Sequence, residues 1–245
     1  MLHSKYVRGA LVFYDDYEMR WIDAIGEDVV KFIAEVGTPT DDTTLDPTRY
    51  TMTPIETGAG GTGISTVLNS LTAGELFVLR TANADYDGLN LQLKGEPFEL
   101  TANLPLYFGI KTKISVASLS DFLVGICETD TDLLNESGSH ALKLTGMDGI
   151  FFCCIDSTTT IAAKTWTNGV EINTADAAVA MDTAYHIYEI YWNGTQLEFY
   201  MDGAVVTTFT ADWPTEDMTP SINFRTGAAA NITMEVAWMR CIQIQ

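Results

Sequence analysis

Paired carboxylates are the residues of this chain whose type and spacing come closest to known chemistry, because glycosidases cleave sugars with two of them. A retaining pair lies about 5 to 5.5 Å apart, whereas residues two apart on one strand face are separated by roughly 7 Å. Asp16 and Glu18 are two residues apart, and Glu198 and Asp202 are four apart. Neither pair makes an acidic triplet lining a groove. We therefore predict solvated carboxylates at Asp16, Glu18 and Glu198, and a turn at Asp202.

A glycine-rich string offers a second kind of chemistry, the binding of a dinucleotide. Residues 58–63 read GAGGTG and match the G-x-G-x-x-G fingerprint, and Asp85 lies at about the distance expected for a ribose contact. The preceding TMTPIET is not a core parallel strand, and nothing that follows builds a doubly wound sheet. We predict a flexible loop at 58–63 and no cofactor.

Metal ligands and activated nucleophiles lack their usual spacing. His3, His140 and His186 are isolated in the sequence, and no G-x-S-x-G string is present. The Asp-rich runs 40–46 and 128–132 carry oxygen ligands of the kind that calcium prefers, but such a site needs six or more converging oxygens. The runs are predicted to be solvated loops, with calcium left open. The sequence thus assigns no catalytic, cofactor or metal residue.

Four aromatic side chains have the form needed to stack on sugars: Trp166, Trp192, Tyr200 and Trp213. The same residue types are also the ordinary filling of a β-sandwich. Core or interface positions are predicted for them, and a glycan partner is kept as an alternative.

Charge and hydropathy exclude several classes of protein. The 245 residues include 13 Lys+Arg against 33 Asp+Glu, so the net charge is -20 and the pI about 4.2. Counterion release on nucleic acid cannot drive binding by such a chain, and an anionic membrane surface repels it. No apolar run approaches the roughly 20 residues of a membrane span. We predict neither nucleic-acid nor membrane partners, and no signal peptide.

The cysteines indicate reduced thiols. All four lie inside apolar runs, and adjacent Cys153 and Cys154 must point to opposite faces of a strand. This pattern favours buried thiols in a chain made in the cytosol over a disulfide framework.

Strand signals dominate the second half of the chain. Residues 185–209 predict three short strands, because Asn193-Gly194 and Asp202-Gly203 are dipeptides that tolerate the positive φ of tight hairpin turns. In the middle strand the apolar residues Leu197, Phe199 and Met201 alternate with Gln196, Glu198 and Tyr200. Further strands are predicted near 107–116, 122–128, 149–155, 222–225 and 232–242. The pattern predicts an all-β protein, an antiparallel two-sheet jelly-roll sandwich.

The first 50 residues differ from the rest. Apolar residues between Trp21 and Val36 fall close to a helical stripe, but Gly26 and β-branched pairs weaken it, so their secondary structure is left open. A polar connection rich in Thr, Asp, Pro and Gly follows at 37–63. We predict an N-terminal arm or subdomain over residues 1–50 and a jelly-roll domain over 51–245.

Residues 188–206, YEIYWNGTQLEFYMDGAVV, resemble the strand, turn, strand signature of concanavalin A-like and laminin G-like jelly rolls. The wider layout, which includes DGLNLQLKGEPFEL at 87–100 and DGIFFCCID at 148–156, is similar to a family of tailed-bacteriophage virion proteins that carry such a domain. This resemblance implies a non-enzymatic capsid decoration or cement protein in the virion, made in the host cytoplasm. Its implied partners are the major capsid protein and further copies of itself. No catalytic residue is carried over.

Two alternatives share the same scaffold. The first is a glycan-binding, lectin-like tail or surface module, which requires a groove with exposed Trp or Tyr. The second, ranked behind it, is an active glycanase with two carboxyl groups facing each other across a cleft.

Overall fold

The computed structural model of the protein describes residues 2–15, 20–35, 47–56, 65–69, 76–134, 142–155 and 158–245. Over these residues the chain is built of antiparallel strands with one 3-10 helix, Ala117–Leu119. The strands are β1 (Leu2–Val7), β2 (Ala10–Asp15), β3 (Arg20–Ile25), β4 (Val29–Glu35), β5 (Tyr50–Ile55), β6 (Thr66–Asn69), β7 (Phe77–Arg80), β8 (Gly88–Leu93), β9 (Leu106–Ile114), β10 (Ser120–Cys127), β11 (Gly149–Cys154), β12 (Thr160–Thr167), β13 (Val170–Ala180), β14 (His186–Trp192), β15 (Leu197–Met201), β16 (Ala204–Phe209), β17 (Thr219–Thr226) and β18 (Thr233–Ile244). Within the described ranges, no helix has the length and apolar character that crossing a bilayer requires.

Two large sheets face each other and form the predicted jelly-roll sandwich. The seven-stranded sheet has the order β13-β12-β11-β10-β17-β8-β5, and the other sheet has the order β16-β15-β14-β9-β18-β7-β6, with β4 also paired to β18. Alternate residues of each strand point into the space between the sheets. The largest of these side chains are fully buried, among them Phe108, Phe122, Phe152, Trp192 and Phe199. The fold class predicted from the sequence is confirmed.

The β14–β16 region confirms the predicted hairpins. Asp202 and Gly203 have φ values of 51° and 79°, the left-handed pair that a tight turn needs to match the twist of its strands. At the preceding turn, the Asn193 side-chain oxygen accepts the backbone N–H of Thr195 and that of Gln196 at 2.9 and 3.0 Å. These turns fix the register that sends the Phe199 side chain into the core and the Glu198 side chain outward.

The N-terminal residues form strands. The three-stranded sheet β1-β2-β3 lies on the outer face of the eight-stranded sheet, where Val12 and Trp21 are buried against Tyr107 and Ile242. The next strand, β4, pairs with the C-terminal strand β18. The near-helical spacing of apolar residues in this region therefore belongs to two strands that bury their side chains in different places. The domain boundary near residue 50 stays a prediction.

The cysteines lie where the alternation of strand residues predicts. Cys153 packs with Leu123 and Phe151 on the outer face of the seven-stranded sheet, and Cys154 packs in the core. Both are free and buried. Burial raises the pKa of the Cys154 thiol to about 11, so it is protonated at neutral pH.

Candidate functional site

The carboxylates singled out in the sequence have separate surroundings in the structure. Asp202 belongs to the β15–β16 turn, as predicted. Glu198 is half-buried on the outer face of β15, where it accepts hydrogen bonds from the Tyr200 hydroxyl and, at 2.5 Å, from the Gln196 amide. Asp16 and Glu18 lie outside the described residues, as do the loop 58–63 and the Asp-rich run 40–46.

Two of the four aromatic candidates, Trp192 and Trp213, pack in the core. Trp192 is fully buried and stacks at a tilt on Trp213, with ring centroids 4.6 Å apart. Tyr200 is also buried, whereas Trp166 is half-buried against the outer face of the seven-stranded sheet. The predicted core position is confirmed for Trp192, whereas Tyr200 is buried on the outer face of the eight-stranded sheet.

Asp202 also holds the one buried histidine among the described residues, at the end of the sandwich. The Nδ1 atom of His186 lies 2.6 Å from Asp202, and its Nε2 atom lies 3.0 Å from Asp182. Burial lowers the pKa of His186, but the hydrogen bonds to Asp202 and Asp182 outweigh it, so the net shift is upward from 6.5. The folded protein therefore binds the imidazole proton more tightly than the unfolded chain does.

His186 is expected to stabilise the fold in a pH-dependent way. Because its folded pKa is raised, its contribution is fully present below about pH 6.5 and is lost as the pH rises through the folded value. Urea unfolding of the wild type and of His186→Gln checks this: the difference in unfolding free energy should be larger at pH 5.5 than at pH 8.5. His3→Gln, on the edge strand β1, is the control. An equal difference at both pH values contradicts the assignment.

The run 128–132 is not a solvated loop, contrary to the sequence prediction. It lies across the outer face of the seven-stranded sheet, held by side chains of β8. The Gln92 amide donates to the Glu128 carbonyl at 3.0 Å, and the Asn90 amide donates to the Asp130 carbonyl at 2.7 Å. The polar outward residues of β8 thus bind the backbone of this run, which we call the covering segment (residues 128–134).

The covering segment is anchored by a buried ion pair. The Asp132 carboxylate contacts the Arg225 guanidinium of β17 and accepts the Asn223 amide at 3.2 Å. Both charged side chains are only about 2% exposed. Isolated buried charges are costly, so the contact between these two residues lowers the cost of burying both. This pair could not be predicted from the sequence, because 93 residues separate its members.

Apolar side chains fill the middle of the same outer face. Leu123 and Cys127 of β10 and Phe151 of β11 are fully buried there. They are covered by Leu133, Leu134, Leu144 and Met147. The middle of this outer face is therefore apolar and covered.

Four acidic residues converge at the end of the seven-stranded sheet where β10 ends. The register pairs Cys127 with Gly149 and with Thr219, so β10 ends where β11 and β17 begin. Glu128 therefore lies beside Asp148, and the neighbouring strand ends contribute the exposed Glu96 and Glu216. No spacing rule in the sequence links these acids, since strand topology alone brings them together.

Glu128 is the acid of this cluster whose pKa is clearly shifted. Its carboxylate accepts the Asp148 backbone N–H at 2.5 Å, and its side chain is half-buried. Burial raises its pKa above 4.5, and the negative charges of Asp148, Glu96 and Glu216 raise it further, against the lowering effect of the backbone hydrogen bond. A carboxyl group that keeps its proton to higher pH is suited to act as a general acid.

Asp148 has a structural part in the cluster. It is 3% exposed, and its carboxylate accepts the backbone N–H groups of Asn168, Thr215 and Glu216, at 2.7, 3.2 and 3.4 Å. It therefore ties the β12–β13 turn and the approach to β17 to the start of β11. This network fixes the backbone around Glu128.

Comparison with known proteins gives one partial family match. A model of glycosyl hydrolases family 16 matches residues 154–237, which run from the end of β11 into β18. No curated protein sequence matches the chain.

Solved structures share the fold at low sequence identity. An endo-1,3-beta-glucanase from Streptomyces sioyaensis is 10% identical, with a TM-score of 0.62 over 91% of this chain and 99% of that one. A beta-1,3-glucanase from Mycobacterium marinum is 17% identical, with a TM-score of 0.58 over 86% and 97%. The carbohydrate recognition domain of Emp47p is 10% identical, with a TM-score of 0.54 over 86% and 93%. These similarities show a concanavalin A-like jelly roll.

The comparisons correct two predictions made from the sequence. The prediction of a non-enzymatic protein is wrong, because residues 154–237 match a family of glycosyl hydrolases. The interpretation as a viral capsid protein is wrong as well, because the matched family is one of glycosyl hydrolases. The partners and the location given with that interpretation stay predictions. The error lay in extending a resemblance that supports the fold to a function. The glycan-related alternative is the one that the matches favour.

Proposed function

We propose that this protein is a glycoside hydrolase that cleaves a neutral polysaccharide, with Glu128 as its general acid. The observation that carries the proposal is the half-buried Glu128 carboxyl, whose pKa is raised by burial and by neighbouring acids. The match of residues 154–237 to glycosyl hydrolases family 16 supports the reaction class. Glu128 itself precedes the matched residues.

Cleavage of a glycosidic bond needs an acid and an ionised carboxylate. Glu128 donates its proton to the glycosidic oxygen as the bond to the anomeric carbon breaks. The second carboxylate either accepts a proton from the attacking water or attacks the anomeric carbon itself. Glu96 and Glu216 are exposed and act electrostatically on Glu128, which makes them the candidates for this second role.

Charge supports a neutral substrate. The chain carries a net charge of -20, and the acids around Glu128 concentrate negative charge at the proposed site. A polysaccharide of uronic acids or sulfated sugars is repelled by such a surface. Among neutral polysaccharides, a β-linked glucan is the first choice, because the similar structures include two beta-1,3-glucanases.

Release of reducing ends tests the proposal. The purified protein is incubated with laminarin, a mixed-linkage β-glucan and polygalacturonate, each between pH 4 and pH 8. We expect new reducing ends from a neutral β-glucan and none from polygalacturonate. Absence of release from both glucans over the whole pH range would refute the proposed activity.

A further inference from the structure

A second candidate site lies on the opposite sheet, away from the Glu128 end of the seven-stranded sheet. It is a pocket, partly open to solvent, between the N-terminal three-stranded sheet and the outer face of the eight-stranded sheet. This site, which we call the ring pocket, is lined by Lys5, Tyr14, Trp21, Tyr191 and Tyr200.

Strand register explains why four aromatic rings meet there. Tyr14 of β2 is the registered partner of Trp21 of β3. Tyr191 and Tyr200 stand on the adjacent strands β14 and β15, on the outward face. The Trp21 ring tilts against that of Tyr191, with centroids 5.6 Å apart. Trp21 and Tyr200 form buried walls, whereas Tyr14 and Tyr191 are half-buried and reach the opening.

Polar groups surround these rings. Glu198, the registered partner of Tyr191, accepts the Tyr200 hydroxyl. The ammonium group of Lys5 lies 4.7 Å from the centre of the Tyr14 ring. Flat apolar walls with hydrogen-bonding groups at their edge complement a sugar ring, whose faces carry C–H groups and whose rim carries hydroxyls.

The charges around the ring pocket select among ligands. The Lys5 ammonium lies at the Tyr14 ring, so a cationic ligand meets like charge in the pocket. An anionic sugar meets Glu198 and the overall charge of -20. A neutral sugar is repelled neither by Lys5 nor by Glu198 and the net negative charge.

We infer that the ring pocket binds one sugar residue of a neutral glycan, at a site separate from the Glu128 cluster. The ligand class rests on the proposed function, whereas the location rests on the geometry of the pocket alone. A protein with both sites binds one polysaccharide chain at two places. Binding at the ring pocket then raises the effective concentration of the polysaccharide at the hydrolytic site.

Binding of laminaritriose and cellotriose to the full chain, followed by NMR titration, tests the inference. The Tyr14→Ala substitution removes one wall and should weaken binding about fivefold, which corresponds to roughly 1 kcal/mol for a stacked ring. Tyr14→Phe keeps the ring and should bind like the wild type. Tyr6→Ala, an exposed tyrosine of the same three-stranded sheet, is the matched control and should also leave binding unchanged.

The outcomes separate the ring pocket from the proposed hydrolytic site. If Tyr14→Ala weakens triose binding but the protein hydrolyses no glucan, the catalytic proposal is refuted and the ring-pocket inference is supported. If the protein hydrolyses a glucan but the Tyr14→Ala variant binds the trioses as tightly as the wild type, only the ring-pocket inference is refuted. Binding of choline in place of the trioses, or no binding of either triose to the wild type, also overturns this inference.

Discussion

Replacing Glu128 by Gln is expected to lower the release of reducing ends from a β-glucan by about 10²–10⁴-fold, the usual contribution of a general acid. The amide has nearly the size of the carboxyl group, and its oxygen can still accept the Asp148 N–H. It has no acidic proton to give to the glycosidic oxygen. The substitution therefore isolates proton donation from packing, and the unfolding temperature should stay close to that of the wild type.

The pH profile gives this experiment a second readout. Because the pKa of Glu128 is raised above 4.5, wild-type activity should fall as the pH rises through that shifted value and the acid loses its proton. The residual activity of Glu128→Gln should not show this fall at higher pH. Glu27→Gln, in the exposed turn between β3 and β4, is the control for loss of a surface charge. Wild-type activity in Glu128→Gln would exclude Glu128 as the acid.

The sequence revealed those parts of the fold that depend on neighbouring residues. Asp202-Gly203 predicted a tight turn because only a few residue types adopt its backbone angles. The alternation of Leu197, Phe199 and Met201 predicted which face is buried. β12 and β13 escaped prediction because alanine and threonine leave the strand pattern weak, although Asn168-Gly169 forms a similar left-handed turn between them.

The candidate site was much less accessible to sequence reasoning. Glu128 and Asp132 stand in an acidic run that predicts solvent exposure, yet one is half-buried and the other buried. Their partners, Glu216 and Arg225, lie close to 90 residues away in the chain. Only the pairing of β10 with β17 brings the two regions together, and that pairing cannot be predicted from the composition of either region.

Removing the carboxylate of Asp132 is expected to cause the largest loss of stability. Asp132→Ala leaves the Arg225 guanidinium buried beside an empty space, and breaking a buried ion pair costs about 3–5 kcal/mol. For a chain of this size, each kcal/mol shifts Tm by about 2–4 °C, so the fall should be roughly 6–20 °C. Calorimetry or thermal unfolding followed by circular dichroism measures it.

Lys143 provides a matched control for the same carboxylate. Its ammonium lies 3.8 Å from Asp132, but its side chain is 45% exposed. Exposed pairs contribute about 0–1 kcal/mol, so Lys143→Ala should change Tm by only a few degrees. Equal effects of Asp132→Ala and Lys143→Ala would mean that burial does not govern this pair.

A double variant separates the cost of removing one buried charge from the net contribution of the pair to stability. Replacing both partners, as Asp132→Leu with Arg225→Met, removes the two buried charges together. Because well-packed apolar residues can replace a buried ion pair at little cost, the double variant should be more stable than Asp132→Ala. The covering segment also carries Glu128, so Asp132→Ala should reduce hydrolysis even below its Tm, whereas the double variant should recover part of it. Stability restored without any recovery of hydrolysis would show that the ion pair supports the fold alone and does not position the acid.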